Sequence, residues 1–137
     1  MNDFALLFLR ATTGAFMLIA HSVPKLNLLF SSGEISFPDP LGIGTFPSLI
    51  LAIFSEFFCS LLLIFGFLTR ASLIPLIITM MVAAFIHHAA DPFALKEKAL
   101  LFLIIYIFLF ITGPGKYALN KIIMVKSQNN FLKFLTE

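Results

Sequence analysis

Charge is what this chain has least of. Only 12% of its residues are Asp, Glu, Lys or Arg, against roughly 25% in an ordinary soluble domain. Hydrophobic residues make up 60%, and the mean hydropathy is +1.03. A single domain of 137 residues buries only about two-thirds of the surface its unfolded chain exposes. So much Phe, Leu and Ile does not fit inside a water-facing fold. The excess apolar surface must face lipid, which makes the chain an integral membrane protein.

Other scarcities exclude other classes. The lone cysteine, Cys59, forms no disulfide or dithiol pair within the chain, and inside an apolar run its default role is small packing residue. The basic residues are scattered, so no nucleic-acid footprint exists. The N-terminal "MNDFALLFLR" lacks a basic leader and is broken by Arg10, which reads as a retained span rather than a signal peptide. Catalytic triads, phosphate loops, haem-ligand patterns and solenoid repeats are missing.

What is present is four apolar stretches in a single transmembrane domain over 1–137. The expected spans are about 4–24, 46–67, 70–88 and 97–112, with 117–137 as an amphipathic or disordered cytoplasmic tail. The fold class is all-α, an antiparallel four-helix transmembrane bundle. "GFLTR" leaves room only for a tight hairpin between the second and third spans. Asp91 suits the N-cap and Pro92 the first turn of the last span, and Gly113-Pro114 suits its stop. The long first connection, "NLLFSSGEISFPDPLGIGTFP", is too apolar at Leu28, Leu29, Phe30, Ile35 and Phe37 for a plain solvated linker. It is a candidate re-entrant or interfacial segment.

An even number of spans puts both termini on one side. Arg70, Lys116, Lys121, Lys126 and Lys133 share that side, and Lys25, Lys96 and Lys98 the other. The positive-inside rule then makes both termini cytoplasmic. On that topology Arg10 lies about 9 Å deep from the inner face and Glu56 about 15 Å from the outer one. A charge near the bilayer centre costs on the order of 3 kcal/mol. The two are therefore expected to face inward and to pair, directly or through water. Such a pair serves either to fix helix register or as the polar floor of a pocket.

A second group gathers at the outer level. His21 and Lys25 are four apart on one helical face, His87 and His88 end the third span, and Lys96, Glu97 and Lys98 open the fourth. Three readings stand: an aqueous rim, a polar lining for a small-molecule or quinone head group, or a metal site. Adjacent His87 and His88 point about 100° apart on a helix. No H-x₃-H or H-E-x-x-H pattern accompanies them, so no metal ligand is assigned. The candidate ligand-binding residues are Arg10, His21, Lys25, Glu56, His87, His88 and Glu97; no catalytic residue is legible.

"FLRATTGAFMLIAHSVPKL", "FSEFFCSLLLIFGFLTRAS" and "KEKALLFLIIYIFLFITGPGKYALN" together resemble the first, second and fourth spans of the DoxX family. The resemblance runs through Arg10, His21, Lys25, Glu56, Arg70, Glu97 and Gly113-Pro114-Gly115. It departs at "FFCS", where the family has small glycines, at His21-Ser22 and at Asn120. It implies a multi-pass inner-membrane protein tied to redox metabolism. The expected function is a membrane subunit or accessory factor of a redox system, with a quinone or other small apolar molecule as candidate ligand and a soluble or membrane redox protein as candidate partner. The alternatives are a non-enzymatic scaffold that recruits a soluble redox enzyme, and a small transporter or lipid-binding protein. A homodimer is a further candidate assembly, although no GxxxG pattern marks a face for it.

Overall fold

Long apolar runs broken by Gly and Pro produce long helices, and the computed structural model describes residues 2–123 in these terms. Helix α1 covers Asp3–Leu29, α2 Thr45–Phe65 and α3 Thr69–His87, each long and apolar enough to cross a membrane. Helix α4, Phe93–Thr112, is comparable in length but carries Lys96, Glu97 and Lys98 in its opening turns. A short α5, Leu119–Ile123, follows. No strand occurs among the described residues. Residues 124–137, and most of the expected tail with them, lie outside the described part.

Each long helix packs on the next, and α4 returns to α1. Between them sit Met17, Leu63, Leu73, Leu76, Tyr106 and Leu109, all fully buried. Phe8, Phe16, Ile104 and Ile111 point outward and are exposed. That apolar exterior is what a lipid environment requires.

The hairpin between α2 and α3 turns on Gly66 (φ +70°), where a Cβ would collide with the Arg10 guanidinium and the Ala118 backbone. Gly113 (φ +78°) ends α4. The exit turn is then fastened from two sides. Arg70 Nε donates to the Phe110 carbonyl (2.9 Å), and Asp3 accepts from the Lys116 backbone N–H (3.0 Å).

Two boundaries differ from expectation. Helix α4 begins at Phe93 with Pro92 as its N-cap. Asp91 does not cap it, because its carboxylate holds His88 Nδ1 at 2.7 Å. Helix α1 also continues through Pro24. A proline inside a regular α-helix clashes with the carbonyl four residues back. Here a π-helical turn at Leu18–Ser22 shifts the register, so that the Val23 N–H reaches the Leu18 carbonyl, and the Ser22 hydroxyl donates to Met17 O (3.3 Å).

Candidate ligand-binding cavity

The π turn in α1 is one of three among the described residues. The others are Phe54–Cys59 in α2 and Ala83–His87 in α3. Such turns are rare and concentrate at functional sites, because they widen the helix and re-aim side chains. Each of these three carries a titratable residue: His21, Glu56 and His87 respectively.

Glu56 is buried in α2, and its partner is Lys25. Lys25 Nζ lies 2.6 Å from Glu56 Oε2 and also donates to the His21 carbonyl (3.1 Å). The expected Arg10–Glu56 pair is therefore corrected. Arg10 is 1% exposed, and it donates to the carbonyls of Tyr117 (2.7 Å) and Leu63 (3.4 Å), beneath Gly66. Counting along the helices placed both charges near mid-depth. The π turns and the continuation of α1 past Pro24 put an ammonium group nearer the carboxylate than the guanidinium.

The Lys25–Glu56 pair lines a cavity of about 740 Å³, within the range of small-molecule sites. Its walls come from all four long helices: Ser55 and Ala52 on α2, Pro75 and Thr79 on α3, Ala99 and Phe102 on α4, and His21 on α1. The Thr79 hydroxyl donates to Ser55 Oγ (2.9 Å), tying α2 to α3. His21 meets Phe102 edge to face, with ring centroids 5.7 Å apart. His87 and His88 sit at the rim, their rings 4.4 Å apart.

The first connection forms part of the lining. Phe37, Pro38, Pro40, Leu41 and Ile43 all contribute, which accounts for Phe37; Leu28 and Leu29 belong to α1, and Phe30 is exposed. The segment is anchored by Asp39, which accepts from the Ser48 hydroxyl (2.8 Å) and from the N–H groups of Gly44 (2.8 Å) and Ile43 (3.0 Å). The Ser48 hydroxyl first, and the backbone donors after it, hold the Asp39 carboxyl below its ordinary pKa.

The cavity thus brings together His21, Lys25, Glu56, His87 and His88. It does not include Arg10 or Glu97. Glu97 is exposed, and α4 turns Leu95, Lys98, Ala99 and Phe102 toward the cavity instead. Lys98 was missed. Its signal was there, since 95, 98, 99 and 102 follow the i, i+3, i+4, i+7 spacing of one helix face. Ser55 and Thr79 are also lining residues.

The family model for DoxX matches residues 5–89. The chain belongs to the DoxX family. That match spans α1, α2 and α3, and with them the Lys25–Glu56 pair and all three histidines, so this DoxX chain is a membrane protein whose family-matched part supplies most of the cavity. Helix α4, with Lys98 and Phe102, lies beyond the matched residues. Comparison with curated proteins and with solved structures finds no match.

Proposed function

We propose that this chain is a membrane subunit or accessory factor of a redox system, and that its cavity holds a quinone or a similar small apolar molecule with a polar head. The observation that carries this reading is the Lys25–Glu56 ion pair, set against open space in an apolar cavity instead of in packed core. A buried pair kept only for stability is readily replaced by apolar residues. One that faces a cavity can hold a head group by hydrogen bonds, and the His21 imidazole that lines the same cavity can donate a proton to that head or accept one from it. The chain has no cofactor motif of its own, so electrons would come from a redox partner protein.

In this reading α4 crosses the membrane with the other three helices, which makes an antiparallel four-helix transmembrane bundle in the inner membrane. Arg70, Lys116 and Lys121 mark the cytoplasmic face, where both termini lie.

Solvent extraction and mass spectrometry of gently purified protein test the proposal. A stoichiometric quinone-class molecule is expected in the wild type and is expected to be lost in Glu56→Gln. An empty wild-type cavity, together with a redox partner still recruited by Glu56→Gln, would favour the scaffold instead.

A further inference from the structure

The charges around the cavity do not balance. Lys25 and Lys98 line it, with Glu56 as the only lining carboxylate among the described residues. Lys25 is already paired with Glu56. Lys98 makes no ion pair among the described residues, and His21 and His87 lie at the same level. Asp91 is engaged by His88, and Asp39, between the lining residues Pro38 and Pro40, by Ser48 and two backbone N–H groups. Any ligand head that enters therefore meets one unmatched ammonium group and two imidazoles.

The part of the wall formed by α2 and α3 has a different character. Leu51 and Phe54 on α2 and Ile78 on α3 line the cavity, yet are 55%, 49% and 54% exposed. On membrane-crossing helices, exposed apolar side chains face lipid. One set of residues thus faces both lipid and cavity, so the cavity opens sideways between α2 and α3.

We infer that the ligand is a single-chain amphiphile with an anionic head, such as a carboxylate or phenolate, that enters from the lipid. Lys98 receives the head, and the tail lies between α2 and α3 against Leu51, Phe54 and Ile78. A water-soluble anion would leave the apolar wall uncovered. A neutral head would form no ion pair with the Lys98 ammonium. The inference rests on the reading that the cavity holds a ligand, and it adds the charge of the head and the route of entry.

The test uses the full chain in nanodiscs of zwitterionic lipid. The probes are a long-chain fatty acid with a photoreactive diazirine near its tail end and the methyl ester of the same molecule. The acid is expected to bind about tenfold more tightly than the ester. Lys98→Gln, at an exposed position, is expected to erase that preference, so that the acid binds no more tightly than the ester. Crosslinks are expected on peptides containing Leu51, Phe54 or Ile78.

Equal binding of acid and ester would overturn the anionic head while leaving the proposed function in place. Crosslinks confined to other helices would overturn the lateral route. Displacement of the probe by anionic phospholipid doped into the disc would reassign the site to a two-chain lipid. Failure of both probes, together with an empty extract, would sink the ligand-binding reading itself.

Discussion

The two ends of the helix assembly treat an inward-facing cation in opposite ways. At the end that holds the hairpin and the exit turn, Arg10 is enclosed by main chain: two carbonyls accept from it, and Gly66 leaves room for it alone. The helix segments there are regular. At the other end Lys25 has a carboxylate partner beside a cavity, α1, α2 and α3 pass through π turns, and α1 runs on through Pro24. The first arrangement leaves no space for a ligand and joins α1 to the hairpin and the exit turn. The second forgoes tight packing and regular helix geometry for an opening lined with polar groups. Departures from local regularity that persist in one region mark function more often than accident.

The largest effect expected from breaking this comparison is at the closed end. Gly66→Ala places a methyl group into the Arg10 guanidinium at a left-handed backbone position, and Arg10→Ala strips two carbonyls of their donor at about 1–3 kcal/mol each. Both variants should lose most folded protein, read as monodisperse yield on size exclusion in detergent. Normal yield from either would remove Arg10 from its fold-fixing role.

At the open end the ion pair can be separated from the fold. Glu56→Gln alone leaves Lys25 without its counter-ion and should cost about 1–3 kcal/mol, less than for a fully buried pair because Lys25 is part exposed. Lys25→Met combined with Glu56→Leu should recover thermal stability to near the wild-type value and still fail to retain ligand. Recovery of both properties would make the pair purely structural. A double variant less stable than Glu56→Gln would show that the pair fixes helix register.

A smaller change should come from Ser55→Ala, which removes one hydrogen bond between α2 and α3 at about 1 kcal/mol. Thermal unfolding with and without added ligand should show a modest loss in the empty protein. A greater loss in the loaded protein would show that ligand also uses this pair.

The smallest effect concerns the loop anchor. The folded pKa of Asp39 is depressed, so its anchoring contribution is present above the unfolded value and is lost as pH falls through the folded one. Protease cleavage within 31–44 should stay slow from neutrality down past the ordinary carboxylate value of about 4 and then rise. Asp39→Asn should raise cleavage at neutral pH and flatten that dependence. An unchanged profile would mean that packing against the cavity, and not Asp39, holds the loop.

Much of the architecture was legible because it is local. Runs of Phe, Leu and Ile locate the helices, "GFLTR" dictates a hairpin whatever surrounds it, and Gly113-Pro114 ends α4. Five of the seven candidate site residues line one cavity, since a residue count along a helix gives depth well enough. It does not give the direction a side chain faces once a π turn intervenes. That is why Arg10 was matched with Glu56, and why Glu97 was named where Lys98 faces the cavity. Asp91 was assigned to a helix cap that its contact with His88 takes from it.

The sequence by itself determined a lipid-facing helical protein, the number and order of its long helices, and the level at which its polar residues gather, because hydropathy and turn chemistry act over a few residues. Only the tertiary structure decided that Lys25 holds Glu56, that Arg10 binds main chain, and that the first connection lines the cavity. Those outcomes depend on how far each helix is rotated and shifted against its neighbours, and packing between distant segments sets both.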